Sequence, residues 1–347
     1  MLRFSFLIGL IAAFSHLAEA QDAPKSYIAA VGFYNLENLF DTLDTENVSD
    51  TDFTPDGEMR YNSKVYADKM NNLSHVISLM GKDAPDGVAV LGVAEIENRS
   101  VLEDLVKQPK IADKNYQILW FDSPDKRGID CAFLYNPKYF KLKSAKPLRV
   151  GGMNAEGDTL FTRDITLMSG LFDGEEMHFM VGHWPSRRGG EAATAPLRQR
   201  AAKVCRQAAD SLLAKNPNAK IVIMGDLNDN PDDVSVKDII GAEGKLKKVK
   251  PQGFYNPFFE PYKKGLGTLA HNDAWGLFDQ IIISEAYVPI KPNTWYYKGA
   301  VVFNEKFLTQ KSGRYEGYPF RTYSGAEYIG GYSDHFPTFI YLRKDKK

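Results

Sequence analysis

The chain has 347 residues, 44% of them hydrophobic and 25% charged, a globular composition that excludes a disordered, collagen-like or membrane-embedded protein. Its 43 Lys and Arg stand against 44 Asp and Glu, which argues against tight coating of duplex nucleic acid but not against a nuclease that holds its substrate briefly. The length fits one large domain or two small ones, with a core that needs no disulfide or metal staple.

The N-terminus reads as an export signal. Arg3 supplies a weak positive start, residues 4–14 are apolar but too short to span a bilayer, and Ala18-Glu19-Ala20 gives a small-x-small cleavage site. Residues 1–20 are expected to be removed, leaving 21–347 as a single catalytic domain with a periplasmic or extracellular destination. No later segment has the ~18 unbroken apolar residues of a membrane span, so stable membrane insertion is not expected. Apolar, β-rich runs then follow at 28–34, 88–93, 116–121, 131–135, 165–171, 178–181, 220–224, 278–283 and 338–342. Several are apolar throughout, which suggests sheets covered on both faces.

Two helices are predicted between these strands. Val65, Met70, Leu73, Val76, Ile77 and Met80 share one face of a 3.6-residue period, as do Leu197, Ala201, Val204, Ala208 and Leu212. A shorter helix is expected from Asp232, after Pro231, to Gly241. The alternation gives a layered α/β domain. Segment 41–58 carries seven acids and no Lys or Arg. Without the ligand spacing of an EF-hand, it is expected to be a solvated acidic loop rather than a calcium site. Segment 245–264 mixes lysines with Phe254, Tyr255, Phe258, Phe259 and Tyr262; it fits either a phosphate-and-base contact or a loop packed over a sheet edge. Cys131 and Cys205 are expected to be buried thiols, although an exported protein permits a disulfide. No CxxC or HExxH supports a zinc site.

The residues that end the apolar strands carry the chemistry. Asn35 follows the first strand, and Glu95 the second, with Glu97 two residues on. His183 follows 178–181, Asp226 and Asn228 follow 220–224, and Ser333-Asp334-His335 precedes the last strand. Open α/β sheets place their sites at such ends. One polar residue there is unremarkable, because Asp and Asn favour turns; five sets with hard oxygen donors and two histidines point further. A phosphodiester resists attack because it is already negative, and a divalent cation offsets that charge. Carboxylate and amide oxygens suit Mg²⁺ or Mn²⁺. A second carboxylate can deprotonate water, and a histidine can protonate the leaving oxygen. Glu97 could equally be solvated.

These residues also carry a resemblance. Residues 33–40 (FYNLENLF), Val93-Ala94-Glu95-Ile96-Glu97-Asn98, Arg127-Gly128-Ile129-Asp130, Gly182-His183-Trp184-Pro185-Ser186-Arg187, Gly225-Asp226-Leu227-Asn228-Asp229, Phe278-Asp279-Gln280-Ile281 and Ser333-Asp334-His335-Phe336-Pro337 run in order over nearly all of the chain after residue 20. Together they resemble the endonuclease/exonuclease/phosphatase superfamily, the DNase I-like enzymes.

The resemblance implies a four-layer sandwich of two packed, mixed sheets flanked by helices. It also implies metal-dependent hydrolysis of phosphate esters with Mg²⁺ or Mn²⁺. By the same token Glu95 is the principal metal ligand, with Asn35 on metal or phosphate and Asp334 on the metal side. Asp226 activates water, Asn228 holds the phosphate, His335 sits on the scissile phosphate and Asp279 orients it. His183 matches the second histidine of the DNase I-like and sphingomyelinase-like branches. Arg127 is expected on phosphate. Independently of the resemblance, Arg187 and Arg188, followed by Gly189 and Gly190, fit either a clamp on a second phosphate or a flexible exposed loop. The expected substrate is a nucleic acid outside the cytoplasm, with a sugar phosphate, inositol phosphate or lipid headgroup as the alternative. No protein partner is legible. Trp184 and Trp275 are expected to pack.

Overall fold

The computed structural model of the chain describes residues 26–153 and 159–346; the expected signal segment, 1–20, lies outside them. Thirteen strands form two sheets. In chain order they are β1 (Ser26–Leu39), β2 (Val88–Ile96), β3 (Gln117–Trp120), β4 (Asp130–Tyr135), β5 (Phe140–Leu148), β6 (Ile165–Phe172) and β7 (Glu175–His183). Then come β8 (Lys220–Asp226), β9 (Ala242–Glu243), β10 (Phe254–Tyr255), β11 (Asp279–Ser284), β12 (Tyr296–Val302) and β13 (Thr338–Asp345). The first sheet runs β12-β13-β1-β2-β4-β3 and the second β9-β10-β11-β8-β7-β6-β5. Both are mixed: β1–β2 and β7–β8 are parallel pairs, whereas β1–β13 and β8–β11 are antiparallel.

Two-residue alternation along the strands sorts side chains into layers. On β1, Ala29, Val31 and Phe33 enter the cluster between the sheets, while Ala30, Tyr34 and Leu36 enter the outer one. On β8, Val222 and Met224 point between the sheets and Ile221 and Ile223 point outward. Helices α1 (Ser63–Leu79) and α2 (Arg99–Val106) cover the outside of the first sheet through Leu73, Val76, Ile77 and Leu102. Helix α3 (Glu191–Lys215) covers the second through Ala201, Cys205 and Ala209. The expected four-layer α/β sandwich is the architecture observed. Each fully buried Leu, Ile or Phe in it contributes about 1.5–3 kcal/mol.

All nine predicted strands are present, as are both helices, but on α3 the core face is Ala201, Ala202, Cys205, Ala209 and Leu213, with the expected Leu197, Val204, Ala208 and Leu212 only partly buried. The predicted helix from Asp232 is instead a six-residue π-helical turn, Ser235–Ile240, ended by Gly241 at φ 74°. The sequence pattern missed edge strands β5 and β12, which pair on one side only. Strand β5 carries exposed Lys141, Lys143 and Lys146, charges that blunt an edge, and Pro147, which has no ladder donor. Cys131 lies between the sheets and Cys205 outside the second sheet; both are free, so there is no disulfide. Among the described residues no helix is long and apolar enough to cross a membrane.

Two surface segments differ from expectation. The acidic segment 41–58 is not simply solvated. Glu97 is buried and accepts hydrogen bonds from the Asp41 N–H at 2.6 Å and the Thr45 hydroxyl at 2.9 Å, and Phe53 stacks on Phe40. Glu97 is therefore an anchor for that segment rather than a solvated acid. In 245–264, Phe254, Tyr255 and Phe258 are buried in the two cores. That leaves the sheet-edge explanation and removes those rings as a stacking platform.

Candidate active site

Register brings the site together. Asp226 at the end of β8 pairs with His183 on parallel β7 and with Asp279 on antiparallel β11. All three share the inward parity of Met224, Val181 and Ile281, so they crown the core between the sheets. The neighbouring Gly225 must be glycine: a Cβ there would lie 1.9 Å from the Gly182 carbonyl oxygen, at φ 154°.

The facing sheet supplies Asn35 and Glu95. Asn35 has the parity of Phe33, and its Nδ2–H donates to Asp226 Oδ2 at 3.2 Å, while its Oδ1 accepts the Glu37 N–H at 2.9 Å. Strict alternation would send Glu95 outward with Val93. A bulge between Ala94 and Ile96, with Glu95 at φ 60°, turns it inward instead. Glu95 Oε2 accepts the Asn38 N–H at 2.9 Å, and Oε1 lies 3.8 Å from His183 Nδ1.

Asp226 Oδ2 is the focus of the cluster, 3.4 Å from His183 Nε2 and 3.8 Å from His335 Nε2. Its Oδ1 accepts the Asn228 N–H at 3.0 Å. Burial raises the Asp226 carboxyl to about 7, with His335 opposing the shift. His335 is fixed by two contacts: its Nδ1–H donates to Asp279 Oδ2 at 2.7 Å, and its backbone N–H donates to the Ser333 hydroxyl. That hydroxyl in turn donates to the Asn35 carbonyl at 2.7 Å.

The two histidines are pushed apart. For His335 burial alone favours the neutral ring, but the Asp279 and Asp226 carboxylates outweigh it and raise the pKa well above 6.5. For His183 burial, then Arg163, Arg127 and His335, lower it well below 6.5. Opposed shifts on two titratable groups in one site are the mark of an acid and its partner.

The donor set suits a hard cation. Among the described residues, one Glu95 oxygen is fixed by the Asn38 N–H while the other is without a hydrogen bond, and the buried His183 Nδ1 opposite it has no hydrogen-bond partner. Among the described residues no three His, Cys, Asp or Glu side chains form a cage. Mg²⁺ uses one or two carboxylates plus water and substrate oxygens, and so needs no cage. Asp334 lies at the rim: Oδ2 accepts from Arg321 Nη2 at 2.7 Å and Oδ1 lies 4.0 Å from His335 Nε2.

The structure unites Asn35, Glu95, His183, Asp226, Asn228, Asp279 and His335, with Asp334 adjoining. Arg127 is half exposed beside Asp125, near enough to His183 to disfavour its charge. Arg187 is a correction. Its guanidinium is committed to the Asn228 carbonyl at 2.8 Å, Asp233 at 2.7 Å and Glu191 at 2.7 Å, and it stacks on Phe278. It braces the Asn228 turn rather than meeting a phosphate. Trp184 is buried, and Trp275 stacks on Phe336 at 12° between planes.

Several contributors escaped the sequence reading. Arg163 donates to the carbonyls of His183 and Trp184, at 3.2 and 3.1 Å. Arg198, fully buried, holds Asp229 at 2.6 Å and donates to Thr194 and to carbonyls of the 185–191 segment. It occupies a core-facing position one turn before Ala201 and Ala202, and a charge on an apolar face was a usable signal. Arg321 joins Asp334 to the buried Glu37 at 3.4 Å, a pairing across 284 residues that no local pattern carries.

A family model described as the endonuclease/exonuclease/phosphatase family matches residues 30–344. The chain belongs to this family. Its fold is similar to that of a family member from Bacteroides thetaiotaomicron, with 16% identity, 93% of this chain and 97% of that one covered, and a TM-score of 0.55. It is also similar to humanized D. rerio TDP2, with 14% identity, 91% and 98% covered, and a TM-score of 0.55. A third likeness is to the mannosyl-6-phosphatase of Bacteroides thetaiotaomicron VPI-5482, with 17% identity, 90% and 99% covered, and a TM-score of 0.54. No curated protein sequence matches the chain. The family's members are phosphoester hydrolases, and this chain is one by family.

Proposed function

We propose that the chain hydrolyses a compact phosphate ester with the help of Mg²⁺ or Mn²⁺. The observation that carries this is the convergence of Asn35, His183 and His335 on Asp226 Oδ2, opposite the open oxygen of Glu95. Glu95 and Asn35 would hold the cation, with Asp334 on its outer side; when bound it offsets the phosphate charge and favours ionisation of water. Asp226 orients the attacking water and takes its proton. Protonated His335, held by Asp279, donates from Nε2 to a phosphate oxygen as charge builds there. Neutral His183 offers its unpartnered Nδ1 side to the same space. Asn228 Nδ2 is anchored on the Trp184 carbonyl at 3.0 Å and keeps a second N–H for phosphate. Arg127 reaches in from the rim.

A compact substrate is favoured by the inward packing of Phe254, Tyr255 and Phe258 and by a cavity beside Asp334. A nucleic-acid strand is the second reading. It is favoured by exposed Lys126, Arg127 and Arg188, with Lys126 lying over the half-exposed Phe161 ring. Similar folds include a mannosyl-6-phosphatase and a TDP2 complexed with single-strand DNA product, so the fold does not choose.

Purified protein lacking residues 1–20 should release phosphate from small esters in Mg²⁺ or Mn²⁺, stop in EDTA and recover on adding cation. Cleavage of plasmid or single-stranded DNA or RNA, with no small-ester turnover, would transfer the proposal to the second reading. No hydrolysis of any of these would end it. With residues 1–20 read as an export signal, the activity belongs outside the cytoplasm. Cell fractionation and a mature N-terminus at Gln21 test that; full-length protein retained in the cytoplasm would refute it.

A further inference from the structure

A cavity of about 290 Å³ opens next to the catalytic cluster and shares Asp334 with it. Its walls come from two segments outside the sandwich: the hairpin Leu269–His271/Ala274–Gly276 and the 310–329 loop. These segments are clamped together. Asp273, at the hairpin turn, accepts two hydrogen bonds from Arg314 at 2.9 and 2.7 Å and one from the Tyr318 hydroxyl at 2.7 Å, and donates its backbone N–H to that hydroxyl. Trp275 lies against Tyr318 and stacks on Phe336, the residue after His335. The wall is therefore braced against the segment that carries the catalytic histidine.

We propose that this cavity is a specificity subsite that takes a single sugar-sized, polyhydroxylated group of the substrate while its phosphate sits at Asp226 and His335. The inference rests on the phosphate-ester reading above. Three observations carry it. First, the volume is at the small end of ligand cavities, ~300–1,000 Å³, which suits one ring rather than a polymer. Second, the lining mixes the rings of Tyr315 and Tyr318 with donors and acceptors from Asn272, Gln310, Ser324 and Arg321. The C–H faces of a pyranose lie on aromatic rings while its hydroxyls need both kinds of partner. Third, Tyr315 and Tyr318 contact each other at 5.5 Å with planes tilted by 54°, and Trp275 meets Tyr318 at 57°. These rings form no parallel slot for a flat base. Arg321 and His271 are the basic residues of the lining; Asp334 and Glu37 already engage Arg321 and the His271 ring contacts the Asn272 amide, so the cavity does not attract a second phosphate strongly. Another cavity, about 620 Å³ between α3 and β5, shares no residue with the site.

The test separates the subsite from the chemistry. Binding of hexose 6-phosphates, nucleoside monophosphates and inorganic phosphate is measured by calorimetry in EDTA, where turnover is silent. A hexose phosphate should bind at least tenfold tighter than inorganic phosphate and tighter than any nucleotide. Tyr315→Ala and Gln310→Ala, at a half-exposed ring and a partly exposed amide, should each reduce that preference severalfold. Ile290→Ala, far more exposed and outside the cavity lining, should leave it intact. Equal binding of hexose phosphate and inorganic phosphate, a preference for nucleotides, or no effect of either cavity variant would overturn the subsite. Selective binding without turnover in any divalent cation would instead overturn the hydrolase reading and leave the subsite standing.

Discussion

Replacing Asp279 with Asn isolates what the His335–Asp279 pair does. Both groups are buried, at 0% and 8% exposure, and Asp279 Oδ2 lies 2.7 Å from His335 Nδ1. Burial, the largest influence on His335, favours the neutral ring; the Asp279 carboxylate is the largest influence against it. Asparagine keeps an acceptor oxygen in place and removes the charge. A hydrogen bond to a charged partner is worth about 1.5–3 kcal/mol and a neutral one about 0.5–1.5, so Asp279→Asn should cost about 1–1.5 kcal/mol of stability.

The sign with pH follows from the raised His335 pKa. That stabilisation is fully present below the unfolded value of 6.5 and is lost as pH rises through the higher folded value. The gap between wild type and variant should therefore be widest in acid and close in alkali. Loss of a positioned acid costs ~10²–10⁴ in rate, so turnover at neutral pH should fall by about that much and the alkaline limb of the rate profile should move to lower pH. Urea unfolding across pH and pH–rate profiles on one substrate provide the readout. Equal rates at neutral pH and superimposable profiles would refute the assignment of His335 as a cation held by Asp279.

Two further perturbations probe other parts of the site. Burial lifts the Asp226 carboxyl to about 7, against about 3.9 in an unfolded chain, so its ionisation costs stability as pH rises from the lower value through the higher one. Metal-free Asp226→Asn should accordingly match wild type in acid and melt at a higher temperature above neutrality, while losing most turnover; a variant that melts lower in alkali would contradict the buried-charge account. Arg198→Met leaves Asp229 without its 2.6 Å partner and frees the 185–191 carbonyls. Breaking a buried pair costs ~3–5 kcal/mol, and since Arg187 also touches Asp229 at 3.2 Å, about 3 kcal/mol is expected in denaturant unfolding. A change within ~0.5 kcal/mol, the range of an ordinary surface substitution, would show that the network does not brace the His183 and Asp226 turns.

Much of this protein was legible before any fold was seen. Apolar runs of strand length and two amphipathic periods sufficed for a layered α/β domain, because burial on alternate faces is a local property of the chain. Polar residues at strand ends marked Asn35, Glu95, His183, Asp226 and His335, since a strand that stops in a buried core must stop on something hydrogen-bonded; Asp279 came only from the family resemblance. Edge strand β5 was not legible, because one-sided pairing leaves its side chains exposed and polar, and in β12 Lys298 and Gly299 interrupt the apolar run. Short helix α2, eight residues long, offers only its cap, Asn98, which accepts the Ser100 and Val101 N–H groups, and the apolar Val101, Leu102 and Leu105, too brief a run to establish a period.

Tertiary structure decided the rest. The inward turn of Glu95 depends on a bulge in a ladder with another strand. The opposed charge states of His183 and His335 depend on which carboxylates and arginines end up beside them. Arg187 sits in a motif that suggests phosphate, yet Asp233, Glu191 and the Asn228 carbonyl claim it. The cavity beside Asp334 is built by the segments that lead into the Phe278-Asp279 and Ser333-Asp334-His335 motifs, clamped by Asp273 and Arg314, 41 residues apart. Residue type and spacing determine what chemistry a chain can do. Which side chains are spoken for by neighbours distant in sequence, and which are left facing the substrate, is settled only when the two sheets pack.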